Sequence, residues 1–193
     1  MRVISGRFRG RRLQAPPGRD VRPTLDRVRE SIFDLTWVRP SELRVLDLFS
    51  GTGALGIEAL SRGAEHVTFV ERDPRAAAVL EQNLRHVTAE PATWRLLRAP
   101  VERALDRVAG PFDLVLADPP YRLGLGADLL EALGRRPALL APEGVVVLET
   151  EVGGLPFDAR SGLVCVFRRR YGDTEVTVWT AAEDEPEASK EEP

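Results

Sequence analysis

Asp118-Pro119-Pro120-Tyr121 sets a carboxylate, a proline carbonyl and an aromatic ring in four consecutive residues. The apolar run Phe112-Asp113-Leu114-Val115-Leu116-Ala117 precedes it and reads as a buried parallel strand. Two prolines cannot extend the sheet or freely start a helix, so the strand must stop there in a stiff loop. Open α/β sheets place their ligand sites at such carboxyl ends. A flat base with an exocyclic amine suits this equipment. The ring can stack on Tyr121, and the amine can donate to Asp118. The plainer alternative is a strand-ending turn whose Asp caps the next segment.

A second constellation lies upstream. Arg44-Val45-Leu46-Asp47-Leu48-Phe49 is an apolar strand running into Ser50-Gly51-Thr52-Gly53-Ala54-Leu55-Gly56. Gly51, Gly53 and Gly56 satisfy G-x-G-x-x-G between a strand and a helix, where glycines let the backbone bend and approach a ligand. Glu71 ends the next strand, placed to accept hydrogen bonds from ribose hydroxyls. An adenosine-bearing ligand follows. The glycine pattern and its acid do not separate a nicotinamide cofactor from S-adenosylmethionine. Asp47, inside the first strand, offers a carboxylate for a cationic amino-acid group and tips the reading toward S-adenosylmethionine. Ser50, Gly51, Thr52, Gly53, Glu71 and its neighbour Arg72 are the remaining candidate contacts on this side. At the end of the third strand Leu97-Arg98-Ala99-Pro100 carries no acid, so adenine must be held there by backbone or apolar contact near Ala99.

These sites need a frame. Strand and helix patterns alternate with short loops from residue 44 to Glu149, which specifies a parallel sheet with helices on both faces. Residues 162–170 and 174–180, around Tyr171-Gly172-Asp173, read as a closing antiparallel hairpin. That combination fits the seven-stranded, Rossmann-like methyltransferase fold better than a dehydrogenase. Three units are expected: an arginine-rich hairpin and helix over 1–39, the α/β domain over 40–182, and a disordered acidic tail over 183–193.

The net charge of −3 hides an asymmetry. Residues 1–29 carry nine Arg against Asp20 and Asp26, a surplus of seven, whereas 183–193 carry six acids against Lys190. A basic arm beside a near-neutral body suggests a polyanion partner. Phe8 lies among Arg7, Arg9, Arg11 and Arg12, available to stack. A helix from Thr24 to about Trp37 places Leu25, Val28, Ile32 and Leu35 on one face and leaves Arg22, Arg27 and Arg29 off that stripe. Arg7, Arg9, Arg11, Arg22, Arg27 and Arg29 are therefore the candidate RNA contacts. Cys165 is the only cysteine and His66 and His86 the only histidines, so no disulfide and no metal cluster are expected. No apolar run approaches the ~20 residues of a membrane span, and the first residues lack a signal-peptide core. A cytoplasmic monomer is the expectation.

Together these stretches resemble the amino-methyltransferases that modify exocyclic amines of bases. Arg2-Val3-Ile4-Ser5-Gly6-Arg7-Phe8-Arg9-Gly10-Arg11, Arg22-Pro23-Thr24-Leu25-Asp26-Arg27-Val28-Arg29-Glu30 and Arg170-Tyr171-Gly172-Asp173-Thr174 narrow the likeness. Over about residues 1–180 the chain is similar to the RsmD-type guanine-N2 methyltransferases of bacterial small-subunit (16S) ribosomal RNA. The resemblance implies S-adenosylmethionine as cofactor and 16S RNA, or the assembled small subunit, as partner. It gives Asp118, Pro119, Pro120 and Tyr121 the catalytic role. Adenine-N6 enzymes share the D-P-P-Y motif. A nicotinamide-dependent oxidoreductase and a non-catalytic RNA-binding protein are the competing readings.

Overall fold

The computed structural model describes residues 1–15, 26–35, 43–88, 90–155 and 162–182. The expected ends of the first helix, Arg22 and the acidic tail lie outside these ranges. Seven strands form one sheet: β1 (Arg44–Leu48), β2 (His66–Val70), β3 (Trp94–Leu97), β4 (Phe112–Ala117), β5 (Leu140–Glu151), β6 (Leu163–Tyr171) and β7 (Thr174–Ala181). Their order is β3-β2-β1-β4-β5-β7-β6. The first five pair in parallel, and β7 inserts antiparallel between β5 and β6. Central strands are apolar because helices cover both faces. α1 (Asp26–Leu35), α2 (Ala54–Ser61) and α3 (Pro74–Val87) supply residues to one core layer, and α4 (Val101–Leu105) and α5 (Leu125–Gly134) to the other.

β5 runs past the expected Glu149 to Glu151 and starts at Leu140, where Phe112 pairs with Leu140 while Leu114 pairs with Val145. The extra residues, with Pro142 and Gly144 among them, bulge out of the ladder and hide its first step from a periodicity argument.

The amino-terminal arm is docked. Backbone bonds from Val3 N to Arg11 O, Gly10 N to Val3 O and Leu13 N to Met1 O close a small hairpin with a single ladder bridge, Arg2 to Arg12. Val3, Phe8 and Leu13 are buried in the same apolar cluster as Leu60, Leu80 and Leu84. Burying such side chains typically contributes about 1.5–3 kcal/mol each. Glu58, fully buried on α2, accepts from Ile4 N (2.8 Å), Ser5 N (2.9 Å) and Arg62 Nε (2.9 Å). Gly6 passes so close to α2 that a Cβ would lie 1.9 Å from Ser61 O. Phe8 is thus not available to stack on a ligand; its ring is part of the core, with the Arg7 and Arg11 guanidinium groups 4.7 and 5.2 Å from its centroid.

Candidate active site and nucleic-acid interface

The strand register assembles the site. Leu48 pairs with Val70 on one side and Ala117 on the other, and Ala117 pairs with Leu148. The next residues, Glu71, Phe49, Asp118 and Glu149, therefore stand in one row at the carboxyl edge, with neighbours about 4.8 Å apart. Three of these four positions carry a carboxylate.

On the β1–β2 side the glycine loop is pinned by backbone donors. Glu71, buried at the end of β2, accepts from Gly51 N at 2.8 Å and Asp73 N at 2.7 Å. Phe49 and Gly51, at φ 57° and 55°, turn the chain sharply out of β1. A non-glycine residue at positive φ is uncommon, and such residues cluster at ligand sites. A Cβ on Gly51 would meet nothing nearer than Phe49 O at 3.9 Å, so its missing side chain leaves open space. Gly53 is glycine for packing, since a Cβ there would sit 2.1 Å from Leu80 Cδ1. Ser50, a candidate cofactor contact, ties two strands: its hydroxyl accepts from Val70 N (3.0 Å) and donates to Asp47 O (2.7 Å). Thr52 is buried, and its carbonyl accepts from Asn83 Nδ2 at 3.0 Å.

Asp47 lies beneath the loop. It is buried and accepts from Gly56 N at 3.0 Å. Burial pushes its carboxyl up to about 7; the Gly56 N–H opposes that rise and the Glu71 charge adds to it. The third glycine of the motif is needed here, because a Cβ on Gly56 would lie 2.3 Å from Phe69 Cε1 and 2.7 Å from Asp47 Oδ2. Asp47 thus shapes the loop from below.

Arg72 and Ala99 line one pocket with Phe49, Val70, Pro100, Val101, Glu102 and Leu125. The lining is largely apolar, as a base without an acidic partner on β3 requires. Phe49 and Leu125, which were not among the sequence candidates, line the same pocket. The pocket, the open Gly51 backbone and the Glu71 carboxylate lie along the β1–β2 side of the carboxyl edge.

On the β4–β5 side, Asp118 is partly buried, Pro119 buried and Pro120 exposed. The Tyr121 hydroxyl donates to Glu149 Oε1 at 2.8 Å and lies 3.1 Å from Thr174 Oγ1. Burial, with the Glu149 charge behind it, raises the phenol well above its ordinary value. Tyr121 is therefore tethered, and its ring orientation is set by the closing hairpin. Glu149 and Thr174 were not among the sequence candidates. An acid ending an apolar strand, repeated at Glu71, Asp118 and Glu149, was the available signal.

The candidate RNA arginines divide. Arg9 and Arg27 are exposed. Arg7 is exposed with Glu90 3.8 Å away. Arg11 donates to His86 O and Val87 O and so caps the carboxyl end of α3. Arg29 is a correction: it is fully buried, and its Nη2 donates to Arg2 O at 2.9 Å. The apolar stripe of α1 includes Val28 and Phe33 as well as Ile32, so position 29 turns under the docked arm instead of toward solvent.

Comparison with known proteins agrees with this geometry. The family model described as conserved hypothetical protein 95 matches residues 1–180. Ribosomal RNA small subunit methyltransferase D of Escherichia coli is 38% identical over 159 residues, 81% of this chain and 78% of its own. YlbH of Bacillus subtilis, named provisionally as an rRNA methyltransferase, is 37% identical over 182 residues, 93% of this chain and 98% of its own. A solved Escherichia coli structure, described provisionally as the methyltransferase yhhF, superposes with a TM-score of 0.81 at 31% identity, covering 95% of this chain and 99% of that one. With a family model spanning nearly its whole length and relatives of this identity, the chain belongs to the conserved hypothetical protein 95 family, the RsmD family of methyltransferases.

Proposed function

We propose that the chain transfers a methyl group from S-adenosylmethionine to the exocyclic N2 amine of a guanine in small-subunit (16S) ribosomal RNA, free or in the assembled particle. The observation carrying this reading is the shared row of strand ends. Asp118 stands two strands from Glu71, so an amine acceptor adjoins a pocket suited to adenosine. S-adenosylmethionine supplies an already activated methyl, so neither a metal nor a covalent enzyme intermediate is required. Asp118 and the Pro119 carbonyl accept the two amine hydrogens. That makes the nitrogen more tetrahedral and frees its lone pair for in-line attack. As the N–C bond forms the S–CH3 bond would break, releasing S-adenosylhomocysteine, and the methylated amine would lose one proton to the Asp118 carboxylate or to solvent. Positioning and fixed acceptors carry the rate. The base leaves its stack to reach them, and stacking on Tyr121 offsets about 1–3 kcal/mol of that cost. Guanine's adjacent N1–H and N2–H donors match an acceptor-only carboxylate. Arg7, Arg9 and Arg27 supply phosphate contacts.

The test is methyl transfer from labelled S-adenosylmethionine to unmodified small-subunit RNA and to small subunits, followed by nucleoside mass analysis. N2-methylguanosine is expected. N6-methyladenosine would replace the base assignment, and no transfer to either substrate would overturn the reading.

A further inference from the structure

A polar groove of about 460 Å³ lies between α1 and the end of β6, its two walls joined by a hydrogen bond between the Ser31 and Tyr171 hydroxyls. Arg27, Glu30, Ser31 and Asp34 form one wall and Arg169, Arg170 and Tyr171 the other. The α1 residues recur at i, i+3, i+4 and i+7, so a whole helical stripe faces the groove. Arg169 and Tyr171 share one side of β6, and the Arg169 guanidinium lies 5.4 Å from the Tyr171 ring centroid. Arg170 is engaged elsewhere, since its Nε donates to Gly172 O and shapes the turn.

The groove adjoins the candidate active centre. Tyr171 pairs directly with Thr174 across the hairpin turn. The Thr174 hydroxyl is the one 3.1 Å from the Tyr121 hydroxyl. Glu151, at the end of β5, pairs with Thr174 too, so the groove opens at the same sheet edge as Asp118. Its chemistry is mixed. Arg27 and Arg169 suit a phosphate, the Arg169–Tyr171 pair suits a stacked ring, and Glu30 and Asp34 accept from amino edges. Two carboxylates would repel a bare anion, so the equipment fits a whole nucleotide better than free phosphate.

Resting on the methyltransferase reading above, we propose that this groove seats an unpaired RNA nucleotide flanking the target guanine. Arg27 and Arg169 then hold the strand beside the base that enters at Tyr121.

The experiment compares the wild type with the Arg27→Ala/Arg169→Ala double variant. Each is titrated with a single-stranded oligoribonucleotide, its abasic counterpart and unmodified small-subunit RNA at two salt concentrations. S-adenosylhomocysteine affinity and melting temperature are measured alongside. The variant should melt and bind S-adenosylhomocysteine as the wild type does. It should bind RNA about tenfold more weakly, with a salt slope flatter by somewhat under two units. Arg27→Lys/Arg169→Lys should recover the salt slope without recovering the preference for the base-bearing strand. Unchanged RNA affinity in the alanine variant would overturn the proposal, and so would equal wild-type affinity for normal and abasic strands. A wild type that binds RNA through the groove but methylates none would remove the function reading and leave the groove standing.

Discussion

Gly51 N–H is held by Glu71, 20 residues away, whereas the Tyr121 hydroxyl is held by Glu149 and Thr174, 28 and 53 residues away. Both carboxylate anchors are buried near the carboxyl edge of the sheet, with β1 and β4 between their strands, and they act on different things. On the β1–β2 side a carboxylate fixes backbone in a bend that glycine permits. On the β4–β5 side two prolines stiffen the backbone, and the carboxylate fixes a side chain. The first arrangement suits a cofactor that every turnover brings back in one pose. On the function proposed above, the second would orient an aromatic face toward a base drawn out of its stack. The two halves should therefore fail differently.

The sharpest separation comes from Asp118→Ala. Methyl transfer should fall by at least about a hundredfold, the scale of losing a fixed group at the reacting atoms, while calorimetric S-adenosylmethionine affinity stays within twofold. Appreciable turnover would remove the carboxylate from the proposed chemistry.

Glu71→Ala should show the opposite pattern. Loss of an acceptor from a charged group costs about 1.5–3 kcal/mol, so cofactor affinity should weaken roughly tenfold or more, with RNA affinity unchanged. Equal weakening of both would mean that the two halves are not independent.

Tyr121→Phe keeps the ring but leaves the buried Glu149 without its phenol donor. A destabilisation of about 1–3 kcal/mol by urea titration is expected, together with a modest loss of turnover. Glu149→Gln, which can still pair with the phenol, should be milder. Melting of the two variants indistinguishable from wild type would make the tether irrelevant.

Asp47 tests the cofactor half through pH. Its carboxyl titrates near 7 when folded and near 3.8 otherwise. The folded chain then holds the extra proton between those values, so stability falls as pH rises through that window. Asp47→Asn, neutral throughout and still able to accept from Gly56 N, should gain on the wild type by up to about 2 kcal/mol between pH 5 and 8. A pH-independent difference would mean that burial does not hold the proton.

The smallest effect concerns the arm. Arg9→Ala should flatten the salt dependence of RNA binding by about one unit or less, with no change in melting temperature. Arg11→Ala should lower the melting temperature, because it uncaps α3. Reversed outcomes would exchange the two roles.

The order of the strands was not legible in the chain, whereas the parallel sheet with its closing antiparallel hairpin, the glycine bend and its acid, and the stiff Asp118 loop were. Each depends on neighbours in sequence: an apolar run sets a strand, glycine or proline ends it, and the next few residues form the loop. Side-chain partnerships were not legible in the same way. Arg29 looked exposed until the docked arm covered it, and Phe8 looked available until it entered the core. Arg11 is exposed as expected, but only the packed chain shows it also bonding the last carbonyls of α3. The tether of Tyr121 depends on β7 inserting between β5 and β6, which brings Thr174 beside a loop 53 residues earlier. Periodicity reports which face of an element is apolar. Only the packed chain decides what that face, and the polar groups at its margin, come to touch.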